Sequence, residues 1–172
     1  MGKSKTAKKK SAGTLAILAA EAAGIDFRVL EYEHDPASGS YGEEAVRALG
    51  LVPEQVFKTL VARLDAVGDD SGVHVVAVVP VSRQLDLKAV AACFGAKRAA
   101  MAEAADAQRL TGYVLGGISP LGQRQRSPTV LDESAAGLAT IYVSAGRRGL
   151  QIALAPEDLR RLCAAKLAAI AR

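Results

Sequence analysis

The sequence predicts an α+β domain, a mixed β-sheet with helices packed around it. Three observations carry this. Short β-prone runs outnumber helical ones, several of those runs adjoin with only a turn between them, and no regular strand–helix alternation runs through the chain. At 172 residues, half of them hydrophobic, the chain can bury a sizeable core and is expected to form one domain, over residues 13–172.

The elements follow in order. Residues 15–23 read as an amphipathic helix with Thr14 as N-cap and Gly24 as its stop, and residues 27–34 as a strand. Asp35-Pro36 opens a loop, after which Ser40 and Glu43 have the spacing of a capping box, starting a helix that ends at Gly50. Residues 56–64 and 74–81 form a hairpin across the loose connection at 68–72, and residues 75–79, apolar on both faces, belong at the centre of a sheet. Asp86 caps a helix to Phe94 with Gly95 after it, residues 97–101 make a short strand, and residues 104–110 a helix. After a glycine-rich stretch come strands at 129–131, 140–143 and 150–154. Pro156 then opens a C-terminal helix reaching about Ala171, with Leu159, Leu162 and Ile170 facing the core.

The net charge of +4 is concentrated at one end. Five of the 22 Lys and Arg residues (Lys3, Lys5, Lys8, Lys9 and Lys10) fall in the first ten positions, leaving 17 basic against 18 acidic residues in the body. Residues 1–12 read as a disordered lysine-rich tail, and any grip on a phosphate polymer must come from that tail or from a local patch. Cys93 and Cys163 stand seventy positions apart with no CxxC and no Cys/His cluster, so neither a disulfide framework nor a zinc site is indicated, and a reducing cytoplasmic setting fits best. No run suffices to cross a bilayer. The acidic residues show no metal-ligand spacing, and no cofactor is expected. GxGxxG after a strand and GxxxxGK[ST] are both absent.

Three segments stand out: VFKTL around Lys58, and the glycine-punctuated TGYVLGGISPLG at 111–122 and SAGRRG at 144–149. Gly116-Gly117 beside Ser119 marks a place where backbone N–H groups can approach a carbonyl or phosphate. Lys58 shares a strand face with Val56 and Leu60. It reads either as an edge lysine that blocks strand pairing or as a cation held in a cleft, where a lowered dielectric strengthens its hold on negative charge. Thr59 points from the opposite face. His34 and Asp35 are strand neighbours and point apart, so they make a poor catalytic pair, and His74 reads as structural. No nucleophile–histidine system is recognisable, so an enzyme built on these residues works by positioning and backbone hydrogen bonds.

The blocks YEHDP (32–36), YGEEAVRALG (41–50), QVFKTL (55–60), LDLK (85–88), TGYVLGGISPLGQ (111–123) and IYVSAGRRGLQIAL (141–154) closely resemble the YbaK/EbsC family, in order, from about Thr14 to the C-terminus. The resemblance implies a partly barrel-like mixed sheet surrounded by helices, as in the editing domain of prolyl-tRNA synthetases. It implies a free-standing deacylase that removes cysteine from mischarged tRNA(Pro), with Cys-tRNA(Cys) as a further substrate, aminoacyl-tRNA as its partner and prolyl-tRNA synthetase as a possible second one. By the same resemblance Lys58 and Gly116 are the catalytic positions. Tyr32 and Tyr41 are an aromatic pair near the pocket, Thr59 stands beside the lysine, Gly117, Ile118 and Ser119 continue the backbone site, and Ser144 is a pocket serine. Gln151 stands where the family pattern has an aspartate, so a carboxylate grip on the substrate ammonium is not available here. Two alternatives remain open: a deacylase for another small amino acid, such as alanine on tRNA(Pro), and a non-catalytic module that binds aminoacyl-tRNA or a synthetase.

Overall fold

The computed structural model describes residues 13–66 and 69–172. The lysine-rich tail at 1–12 and part of the hairpin connection, 67–68, lie outside the described residues. The elements run α1 (Leu15–Ala23), β1 (Phe27–Glu31), α2 (Tyr41–Leu49), a 3₁₀ turn (Pro53–Gln55), β2 (Phe57–Ala66), β3 (Asp69–Pro80), α3 (Leu87–Cys93), β4 (Arg98–Met101) and α4 (Ala104–Thr111). There follow β5 (Thr129–Asp132), a second 3₁₀ turn (Glu133–Gly137), β6 (Ile141–Ser144), β7 (Leu150–Leu154), α5 (Pro156–Cys163) and β8 (Lys166–Ala168).

The expected α+β architecture is present, and its strands divide into two sheets. One has the order β1-β7-β6 and is antiparallel; the other has the order β4-β2-β3-β5-β8, with β5 parallel to both β3 and β8. A parallel bridge, Val56 to Tyr142, joins the residue before β2 to the small sheet. Residues 75–79 of β3 are all buried, as their two-faced apolar pattern requires. Val76 and Val78 face the core shared with the small sheet and α1, while Val75, Ala77 and Val79 face a second core under α3.

Local chemistry accounts for most boundaries. The Thr14 hydroxyl accepts from Ile17 N–H and the Asp86 carboxylate from Lys88 and Ala89 N–H, so both expected N-caps form. Ser40 does not: it occupies the N-cap position of α2 without a side-chain cap bond, so no capping box closes there. The first strand stops at Glu31, short of the expected His34, because its partner β7 begins at Leu150: the bond from Tyr32 N–H to the Gly149 carbonyl is the last in register before the left-handed Gly149 turns the partner away. The hairpin ladder continues beyond the expected strand ends to the pair Ala66 and Asp69.

The C-terminal helix is much shorter than its alanine- and leucine-rich sequence predicts. It ends at Cys163; Ala164 adopts the left-handed region (φ 48°), and the chain returns as β8 alongside β5. The reason lies in a buried carboxylate. One oxygen of Asp132 accepts from the Ile170 and Ala171 N–H groups at 3.0 and 3.1 Å, and the other is engaged by Ser134. A helix over 164–171 would direct those amides at its own carbonyls and leave one oxygen of this buried carboxylate without its two donors, while Ser134 and Arg83 held only the other, at a cost of about 1–3 kcal/mol. Ile170 is buried as expected, but from an extended segment.

Candidate active site

A cleft of about 450 Å³ is bordered by β2, the start of α2, the loop after α4 and the β6–β7 hairpin. Its position follows from strand pairing. β4 pairs with β2 only from Ala62 to Asp65, so the first half of β2 has no strand on that side and its edge borders the cleft instead. Six consecutive residues, 56–61, accordingly line it. An edge presents residues from both faces, and this brings Lys58 and Thr59, which alternate across the strand, to one recess.

Lys58 is half-buried. Burial pushes its ammonium pKa below the usual lysine value, with the Glu43 charge acting in the opposite direction. The ammonium is thus partly withdrawn from water, the condition under which a cation holds negative charge most firmly. Thr59 is 9% exposed and its hydroxyl is buried with no hydrogen-bond partner.

The small sheet supplies the facing wall. Ser144 and Gln151 are directly paired in the β6–β7 ladder, which puts their side chains on one face, and both line the cleft. The Ser144 hydroxyl accepts from Gly146 N–H and closes the turn. Gln151 is 8% exposed, and its amide oxygen, like the Thr59 hydroxyl, is buried without a donor. Two buried oxygens left open in an otherwise apolar recess are a costly arrangement that a ligand carrying hydrogen-bond donors relieves.

Tyr41, Gly116 and Ile118 complete the lining among the expected site residues. Gly116 takes φ +84°, and a Cβ there would stand 2.7 Å from the Tyr41 ring, so a side chain fits neither the backbone nor the space. Tyr41 is held from several sides: the Arg148 guanidinium lies 4.9 Å from its ring centroid and the His34 ring 5.8 Å away.

Tyr32, Gly117 and Ser119 are not among the residues lining the cleft. Tyr32 is half-buried beside Glu44; burial first, and the Glu44 charge second, push its phenol pKa up. Gly117 donates its N–H to the Val114 carbonyl and packs so closely that a Cβ would lie 2.7 Å from the Arg147 Cα. Ser119 is fully buried, its hydroxyl accepting from Leu121 N–H.

Two features were missed in the sequence. His34, discounted with Asp35, donates its Nδ1–H to Glu44 Oε1 at 2.8 Å. Burial alone would raise the Glu44 carboxyl, but its hydrogen bonds to His34 and Ser38 bring it below the usual range. The signal was available: Tyr41 and Glu44 are three apart on one helix, so an inward Tyr41 carries Glu44 inward with it. The second is Arg148, whose contacts with Tyr41 and the Leu115 carbonyl join segments distant in sequence.

The lining contains no Cys, His, Asp or Glu. What the cleft offers is one partly desolvated cation, hydroxyls and an amide, a glycine backbone and apolar walls. Such a set can bind and orient an ester, and it supplies no protein nucleophile paired with a base.

Residues 34–162 match the aminoacyl-tRNA editing domain family. The chain is similar to EbsC of Enterococcus faecalis, provisionally named a Cys-tRNA(Pro)/Cys-tRNA(Cys) deacylase, with 41% identity over 141 residues, 81% of this chain and 83% of that one. It is also similar to the multifunctional Ser/Thr-tRNA deacylase ProXp-y of Escherichia coli strain K12, with 33% identity over 118 residues, 69% of this chain and 66% of that one. Among solved structures, a protein provisionally described as a trans-editing enzyme for prolyl tRNA synthetase superposes with a TM-score of 0.78 at 25% identity, over 99% of each chain. The family match and the identity to its relatives show that the chain belongs to the aminoacyl-tRNA editing domain family, within its YbaK/EbsC branch.

Proposed function

We propose that the protein is a free-standing aminoacyl-tRNA deacylase that removes cysteine from mischarged tRNA(Pro), and that the cysteine thiol is the nucleophile. The observation that carries this is the composition of the cleft wall, in which no Cys, His, Asp or Glu is present to attack the ester or to activate water. The reading is supported by the similarity to EbsC, whose name specifies cysteinyl-tRNA.

In the reaction the substrate thiol loses its proton and its sulfur bonds to the carbonyl carbon. The carbon–oxygen bond to the terminal ribose breaks, and the ribose oxygen takes up a proton. The product is free tRNA and a four-membered cyclic thioester of cysteine, which water opens to the amino acid. Negative charge develops first on the carbonyl oxygen and then on the ribose oxygen. Gly116 N–H faces the first role and the Lys58 ammonium the second, each most effective where water is excluded. Thr59 and Gln151 bring buried oxygens to the amino-acid end, where the substrate ammonium can satisfy them. Because Gln151 is neutral, this grip is by hydrogen bonds.

Size selection cannot account for specificity, because one methylene changes pocket affinity by only about 1–3 kcal/mol. A nucleophile carried by the substrate adds a chemical requirement on top of fit. Trapping tests this: single-turnover reaction of Cys-tRNA(Pro) should yield a cyclic thioester that an added amine intercepts as a cysteinyl amide, and direct appearance of free cysteine with no interceptable species counts against it.

A second reading is favoured by the relative named for Ser/Thr-tRNA: the same cleft accepts seryl or threonyl esters, their hydroxyls bonded to Thr59 or Gln151. The near-neutral charge of the body makes prolyl-tRNA synthetase a useful partner for retaining tRNA. Gel filtration of the two proteins with and without tRNA tests that association.

A further inference from the structure

We infer that Arg148 is a positioning residue for the editing reaction, holding the Gly116 backbone at the mouth of the cleft by clamping the Leu115 carbonyl to the Tyr41 ring. The inference rests on the functional reading above for its kinetic consequence, though not for its structural one.

The geometry is specific. The Arg148 guanidinium carbon lies 4.9 Å from the Tyr41 ring centroid, and its Nε–H donates to the Leu115 carbonyl at 2.8 Å. Leu115 immediately precedes Gly116, and Gly116 is in contact with that same Tyr41 ring. One side chain therefore joins the β6–β7 turn, the first residue of α2 and the glycine-rich loop. Apolar burial does not hold this part of the loop, since the Val114 and Leu115 side chains are 52% and 39% exposed. Its other side-chain tether is the bond from Leu115 N–H to the Gln108 amide oxygen.

The backbone carrying Arg148 is fixed independently. Gly149 takes φ +82° with no room for a Cβ beside the Tyr32 carbonyl, and Gly117 packs on the Arg147 backbone. Arg147 pairs with Glu31 of β1 at 3.0 Å, so the two arginines divide the work: one ties the turn to the small sheet, the other ties it to the cleft mouth. The role suits arginine in particular. A planar guanidinium can lie over an aromatic ring while an in-plane N–H reaches a carbonyl; an ammonium makes either contact with less definition.

An exposed arginine on a tRNA-handling protein has a competing use as a phosphate contact, and the experiment separates the two. Arg148→Ala and Arg148→Lys are made in the full chain, and hydrogen exchange of residues 112–119 is compared with wild type alongside single-turnover kinetics on Cys-tRNA(Pro). A positioning role predicts faster exchange confined to 112–119. It predicts a saturating rate lowered on the order of 10- to 100-fold, as misplacement by an ångström produces, with KM changed by less than about twofold. Arg148→Lys should fall between. Unchanged exchange overturns the inference, as does a loss confined to KM with a flatter salt dependence, the signature of a phosphate contact. If the wild-type protein deacylates no aminoacyl-tRNA, the functional reading fails while the exchange comparison still decides whether Arg148 holds the loop.

Discussion

Gly116 and Tyr41 occupy each other's space: a Cβ on Gly116 would lie 2.7 Å from three atoms of the Tyr41 ring. Backbone and ring together define the cleft mouth, so changing either displaces the other. Gly116→Ala should lose deacylation and cost about 1–2 kcal/mol from the left-handed backbone alone, measurable by urea denaturation. Adding Tyr41→Ala should recover the steric part, giving a coupling energy of about 0.5–3 kcal/mol, whereas strictly additive losses would refute the contact.

Thr59 and Gln151 give a prediction with opposite signs for stability and activity. Each holds a buried oxygen without a partner, at a cost of about 1–3 kcal/mol. Thr59→Val and Gln151→Leu should therefore be as stable as wild type or more so, while deacylation falls. A loss of both together would mean that these side chains support the fold and not the substrate.

For Lys58 the pH dependence has a defined sign. Its folded pKa lies below the usual 10.5, so the folded state holds this proton less firmly than the unfolded one. Charging Lys58 therefore opposes folding at pH below the lowered value, and the penalty fades as pH rises through that value to 10.5. Lys58→Met should match or exceed wild-type stability at pH 7, the difference closing toward pH 10.5, and should abolish turnover. Chemical denaturation at several pH values reads the first effect. Retained turnover would remove the lysine from the mechanism.

Ala164 tests the account of the truncated helix. It is the one non-glycine residue with positive φ among the described residues, at the left-handed position that ends α5. Ala164→Gly should raise stability by about 1 kcal/mol without altering activity, since glycine takes that conformation freely. A destabilised variant would argue that the helix continues, as the sequence pattern suggests.

That helix shows where sequence reading stops. N-caps at Thr14 and Asp86 and the buried run at 75–79 followed from local chemistry, because caps and strand patterning are local, whereas the division of the expected single mixed sheet into two did not. The segment after Cys163 is alanine-rich and helix-prone, but its conformation is set by Asp132, more than thirty residues earlier, and no local pattern reveals that. The site behaves likewise. Of the residues in the motif blocks, Lys58, Thr59, Tyr41, Gly116, Ile118, Ser144 and Gln151 share the cleft lining, and Tyr32, Gly117 and Ser119 do not. What the sequence concealed was that a short β4 exposes an edge of β2 and so gathers residues of both faces. Arg148 was concealed for a related reason, since its partners come from other elements, whereas the inward turn of Glu44 toward His34 could have been read from its spacing to Tyr41.

The central claim is that the substrate provides the nucleophile, and a panel of tRNA(Pro) charged with cysteine, serine, alanine or proline tests it most directly. Under single-turnover conditions the cysteinyl ester should be cleaved and the thiol-free esters left at the uncatalysed rate. Serine or alanine released as fast as cysteine would contradict the account, because those esters have no sulfur with which to attack.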